Sequence, residues 1–255
     1  MKKPFWIILI IIIVIFIAAA LGGLVFGWFN PKASEQSQKI PTASQPARNI
    51  VALGDSLTQA AALSSQLPGD NPDYSFATGT QISSFYLSLK NAGKNLTAKN
   101  LAVSGATSAA LLTNQVPQVA AYKPKYITLL VGGNDLLQQL SASQFETNLR
   151  QIVCNAKIKD AQILIATLPN FIAMRSDSIP ACTNTNLSPA LKALAVLQIQ
   201  NYNSKITKIA QDYNLTLVNL FPILTSEHIS TLDCMHFNIA GQQKVAEEFI
   251  KKITP

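Results

Sequence analysis

"NIVALGDSLTQ", residues 49–59, decides the reading of this chain. Ile50 to Leu53 form an apolar run that stops at Gly54, and Asp55, Ser56 and Thr58 follow at once. A run this short, apolar on both faces, predicts a buried parallel strand. Its polar end is read either as an ordinary turn or as the seat of a reactive serine.

Four more runs of the same kind follow: 98–103 (AKNLAV), 126–131 (YITLLV), 162–168 (QILIATL) and 215–220 (LTLVNL). Helical patterns separate them at 80–92, 106–121, 143–157 and 189–212, with a last one at 240–252. In the fourth, Leu191, Leu194, Ala195, Ile199, Tyr202, Ile206 and Ile209 make an apolar stripe, and Ser188-Pro189 supplies an N-cap and first turn. Alternating strands and helices predict an α/β domain with a parallel sheet covered on both faces. Ligands of such sheets bind beyond the carboxyl ends of the strands.

The residues just after each run are therefore the informative ones. They are Gly54-Asp55-Ser56-Leu57-Thr58, Ser104-Gly105-Ala106-Thr107, Gly132-Gly133-Asn134-Asp135 and, after the fifth run, "LDCMHFN" with Asp233 and His236. Strand-to-helix loops are commonly polar and glycine-rich, which accounts for any one cluster. A serine hydroxyl, however, needs a base, usually histidine. Only His228 and His236 exist, and Asp233 stands three residues before His236, where a carboxylate can accept the imidazole N–H. His228 in "TSEHIS" reads as a solvated loop residue. Gly105 permits close backbone approach, Asn134 carries an amide donor, and the Ser56 N–H lies at the same turn; together they suit a developing oxyanion. Asp55 and Asp135 read as turn or N-cap groups, while Thr58 and Thr107 are candidates for substrate contact.

Those four clusters resemble, in order, the blocks of the GDSL-type esterases and lipases, the SGNH hydrolase family. "GDSLT" at 54–58, "NLAVSGATS" at 100–108, "VGGND" at 131–135 and "DCMHFNIAGQ" at 233–242 carry the resemblance. It implies Ser56 as nucleophile, Asp233 and His236 as its triad partners, and Ser56, Gly105 and Asn134 as oxyanion-hole donors. It further implies a flavodoxin-like three-layer α/β/α fold with strand order 2-1-3-4-5, and ester cleavage without a cofactor. Substrates within the family range over lipids, small esters and acetylated sugars, and some members transfer the acyl group instead. Segments 60–79 and 169–188 are the expected sources of substrate choice.

The remaining sequence bears on location. Residues 5–29, "FWIILIIIIVIFIAAALGGLVFGWF", hold no charged side chain and are long enough to cross a bilayer, with Trp6, Trp28 and Phe29 near the ends. Lys2 and Lys3 in the short 1–4 terminus favour a cytoplasmic N-terminus, so 5–29 is expected to be a transmembrane signal anchor with the domain extracytoplasmic. Cleavage after Ala18-Ala19-Ala20, giving a secreted protein, is the alternative. Residues 30–48, rich in Ser, Gln, Pro and Ala, are expected to be a flexible linker, and 49–255 one hydrolase domain.

With 20 Lys and Arg against 13 Asp and Glu the chain carries +7, but the cations are scattered, which argues against nucleic acid as partner. A basic surface near anionic envelope polymers is the softer reading. Of the three cysteines, Cys182 and Cys234 fall in loops at one expected sheet edge and form the preferred disulfide. Cys154 lies opposite the apolar face of its helix and is expected to be exposed; three free thiols are the alternative. No spacing suits a metal. The expected function is a membrane-anchored serine esterase acting through an acyl-enzyme, against an acyltransferase modifying envelope polysaccharide or a non-catalytic binding module.

Overall fold

A computed structural model describes residues 50–158, 160–175, 182 and 188–253. The expected anchor (5–29) and linker (30–48) lie outside the described residues, as does most of 176–187. Among the described residues no helix is long and apolar enough to cross a membrane.

Five strands form one parallel sheet: β1 (Ile50–Gly54), β2 (Ala98–Asn100), β3 (Tyr126–Leu130), β4 (Gln162–Ala166) and β5 (Thr216–Val218), in the order β2-β1-β3-β4-β5. Every residue of β1 and β3 is buried, so both faces of the sheet centre are covered, as their unbroken apolar runs require. The helices are α1 (Phe85–Asn91), α2 (Ser108–Asn114), α3 (Gly133–Leu137), α4 (Ala142–Ala156), α5 (Phe171–Met174), α6 (Pro189–Asp212) and α7 (Ile239–Ile250). One layer packs α2 on α4 and α4 on α6, with the Phe145 and Tyr202 rings stacked at 4.5 Å. The other packs α1 on α7, where Phe85 meets Phe249 and Tyr126 edge-on.

Several boundaries differ from expectation for identifiable reasons. The expected helix over 106–121 is two pieces: α2 ends at Asn114, and a 3-10 helix Val116–Tyr122 follows, because Pro117 has no N–H to continue an α-helical ladder. α1 begins at Phe85 rather than 80, since the Ser84 hydroxyl accepts the Leu87 N–H as N-cap. β2 stops at Asn100, three residues early. The 189–212 helix stands as expected, with Ser188 accepting the Leu191 N–H. Its stripe, though, is buried only from Ile199 onward; Leu191, Leu194 and Ala195 are not. Asn203 explains this. Its side chain pairs with both the N–H and C=O of Leu168, just past the end of β4 (2.8 and 2.9 Å). Asn203 thus marks the level of the strand ends, and α6 stays buried for one further turn, to Ile199, before running clear of the sheet.

Candidate active site

Gly54 ends β1 flush against its neighbours: a Cβ there would come within 2.2 Å of Thr58 Oγ1 and 2.6 Å of Leu130 O. Only glycine lets the following turn fold back so tightly. In that turn Asp55 Oδ1 accepts the Leu57 N–H at 3.0 Å, and Ser56, partly exposed, is lifted out at the tip. Its hydroxyl has no hydrogen-bond partner among the described residues. Three side-chain amides brace the turn. Gln115, buried, accepts the Gly54 N–H (3.0 Å) and donates to Gly54 O (2.7 Å). Gln242 of α7 donates to Leu57 O (2.8 Å) and accepts the Phe76 N–H (2.9 Å). Asn100 donates to Thr58 O at 3.1 Å.

Asp55 is buried, and burial pushes its carboxyl up to about 7, opposed by the Leu57 N–H and the charge of His236. It supports the turn, as expected. Thr58 is fully buried against Gly54, which removes it from substrate contact. The Thr107 hydroxyl is engaged as N-cap of α2, accepting the Ala110 N–H.

Gly105 is exposed with φ +81°, and a Cβ on it would meet open space; the left-handed backbone, rather than crowding, calls for glycine here. Asn134, second residue of α3, donates from Nδ2 to Ala106 O at 3.0 Å, which ties the β3 loop to the loop of Gly105. An amide nitrogen carries two hydrogens, so one remains for another acceptor. Asp135 next to it is buried and caps α2 from across the site: it accepts the Ser108 N–H (2.9 Å) and hydroxyl (2.5 Å). Burial raises its carboxyl, and the Ser108 bonds oppose the shift.

Asp233 and His236 share one tight loop. Asp233 Oδ1 accepts the N–H groups of Met235 and His236 (3.0 and 3.1 Å), and Oδ2 lies 2.5 Å from His236 Nδ1. The carboxylate thus holds Nδ1 and leaves Nε2 for other chemistry. Burial pulls the imidazole down, but the Asp233 hydrogen bond and charge, with Asp55 and Asp70 behind them, carry its net shift upward. Asp233 itself ends below the usual carboxylate range: burial works upward, and the bond and charge of His236 outweigh it. The bond from Gln242, six residues after His236, to Leu57 O places the histidine loop beside the serine turn. Ser56 and His236 share no hydrogen bond, a contact that commonly tightens only with substrate present.

A Cys182–Cys234 disulfide crosslinks this loop to the segment after β4, and Arg175 Nε donates to Cys234 O at 2.8 Å. Cys154 is exposed. His228 departs from expectation: it is half-buried, and its Nδ1 lies 3.0 Å from both the Thr225 N–H and hydroxyl in a capping box, a structural task. The structure thus brings Ser56, Gly105, Asn134, Asp233 and His236 to one edge of the sheet. Among the described residues no cluster of His, Cys, Asp and Glu could hold a metal ion.

The bracing glutamines were not foreseen. Gln242 had a signal, since it lies on the buried stripe of Gly241, Val245, Ala246 and Phe249 at helical spacing. A glutamine on such a stripe needs partners. Gln115, next to the Val116-Pro117 break, had none.

Residues 52–244 match the model of the GDSL-like lipase/acylhydrolase family. Solved structures share the fold. A psychrotrophic esterase, EstA, from Pseudoalteromonas sp. is 20% identical, over 81% of this chain and 96% of its own, with a TM-score of 0.56. A lipase/acylhydrolase from Enterococcus faecalis is 18% identical, over 81% and 95%, with a TM-score of 0.60. TesA is 20% identical, over 82% and 99%, with a TM-score of 0.58. No curated protein matches the chain.

Proposed function

Because the chain belongs to the GDSL-like lipase/acylhydrolase family, an enzyme family of esterase type, we propose that it hydrolyses carboxylic esters through a Ser56–His236–Asp233 triad. The observation that carries this reading is the 2.5 Å contact between Asp233 Oδ2 and His236 Nδ1 at the edge where Ser56 is partly exposed. Nε2 takes the Ser56 proton as Oγ attacks the ester carbonyl, and Asp233 stabilises the imidazolium that forms. The Ser56 and Gly105 N–H groups and the second Asn134 amide hydrogen receive the oxyanion. His236 then returns the proton to the leaving alcohol, and water, activated by the same Nε2, releases the acid from the acyl-Ser56 intermediate. Residues 5–29 anchor the chain in a membrane with the domain outside the cytoplasm, a location in keeping with the Cys182–Cys234 disulfide.

Ser56→Ala tests the mechanism. Hydrolysis of p-nitrophenyl acetate and labelling by a fluorophosphonate should both vanish while the melting temperature holds. Undiminished turnover in that variant overturns the assignment.

A further inference from the structure

Five large hydrophobic side chains are exposed among the described residues: Val103, Leu137, Leu197, Leu232 and Ile239. All five lie at the carboxyl edge of the sheet. Val103 follows β2, and its N–H reaches Gly54 O at the end of β1. Leu137 ends α3, directly after β3. Leu232 precedes Asp233, and Ile239 opens α7, whose Gln242 touches the serine turn. Leu197 is 61% exposed and lies six residues before Asn203, the residue level with the end of β4. The first ten residues of α6, before the first buried one at Ile199, extend about 15 Å at ~1.5 Å each. Their opening stretch, PALKALAVLQ at 189–198, has one charged residue, Lys192.

The charges are distributed the other way. Lys123 and Lys125 precede β3, Lys157 precedes β4, Lys90 lies in the last turn of α1 and Lys94 just after it, and Lys251 caps α7. These positions lie at the amino edge. At the carboxyl edge Arg175 is occupied by Cys234 O, and Asp70, Asp73 and Glu227 are acidic. These lysines therefore sit away from the site, whose rim carries exposed apolar side chains, the three acidic residues and Lys192.

We propose that this rim is a docking face for a lipid bilayer, on which the domain sets its active-site edge to take ester from the membrane rather than from solution. Large exposed apolar side chains gathered at one edge mark an interaction site, and a rim where Asp70, Asp73 and Glu227 leave no excess of cations suits the acyl and glycerol layer better than anionic headgroups. The chain outside the structure fits such a partner. Nineteen residues, 30–48, separate the uncharged segment 5–29 from Asn49, and a chain of that length reaches at most about 65 Å.

The test reconstitutes the full chain in phosphatidylcholine vesicles and compares it with a Leu197→Gln/Ile239→Thr variant. Turnover of dissolved p-nitrophenyl acetate should agree within twofold, whereas turnover of a long-chain fluorogenic ester held in the vesicles should fall tenfold or more. Amide exchange over 189–198 and 229–239 should be slower in the wild type than in the variant, and unchanged between 0.1 and 0.5 M salt. Equal exchange, equal vesicle turnover, a parallel loss on both esters, or protection that salt abolishes each overturns docking. The turnover arm rests on the esterase reading; if the wild type cleaves neither ester that reading fails, and amide exchange still decides docking.

Discussion

Gln242→Leu keeps nearly the volume of a fully buried side chain and deletes its amide. In the wild type that amide donates to Leu57 O and accepts from the Phe76 N–H. The leucine leaves the Phe76 N–H without its acceptor, while Leu57 O keeps only a 3.4 Å contact with the Ala60 N–H. Each buried backbone group left unsatisfied costs about 1–3 kcal/mol, so the variant should lose roughly 2–5 kcal/mol. For a domain of this size about 1 kcal/mol corresponds to ~2–4 °C in melting temperature, giving a fall of about 5–15 °C by calorimetry. Leu57 adjoins Ser56, so kcat should drop with little change in KM. Gln118→Leu is the control, because Gln118 Nε2 meets only the exposed Asn114 O, and its melting temperature should move by about 1–2 °C at most. A Gln242→Leu protein that melts within 2 °C of the wild type refutes the bracing role.

The acid limb of kcat/KM should lie above pH 6.5, since the base must be neutral and Asp233 raises the affinity of His236 for its proton; Asp233→Asn should move that limb to lower pH and cut the rate, as pH–rate profiles would show. Asp55 holds its proton up to about pH 7 when folded, against an ordinary value of 3.8, so its share of stability is full below about pH 4 and is lost as pH rises through 7. Asp55→Asn should flatten that decline, worth about 4 kcal/mol at most, in denaturant titrations at pH 4 and 8; parallel slopes for variant and wild type contradict it. Reducing the Cys182–Cys234 bond, which spans 52 residues, should cost up to about 4 kcal/mol. It should also slow turnover by loosening the Asp233–His236 loop, measured as activity against dithiothreitol concentration; a Cys154→Ser protein should respond identically.

The sheet was legible because its central strands are short runs apolar on both faces, without the helical spacing of apolar residues in the segments between them. Strand order came from family resemblance, and the ladders agree with it. The five residues gathered at the sheet edge were legible from chemistry, since a serine with one well-placed Asp–His pair narrows the choice. What remained hidden depends on long-range partners. The Gln115 amide acts on a residue 61 positions away, and no local pattern encodes that. The overhang of α6 was masked for a related reason: its stripe keeps helical period to Leu191, although the sheet it would cover ends level with Asn203. Periodicity reports which face is apolar and not where the neighbouring surface stops.

The pairing of Gln115 with Gly54 has an effect on the shape of the cleft. β1 runs two residues past its last pairing with β2, yet the Leu101 N–H still reaches Ala52 O (2.9 Å) and the Val103 N–H reaches Gly54 O (3.2 Å). The Gly54 N–H alone takes its acceptor from a side chain, that of Gln115, which also donates to Gly54 O. Two backbone bonds thus hold the chain after β2 alongside β1, and a helix end supplies the last contact, so the left-handed bend at Gly105 begins only where those bonds stop.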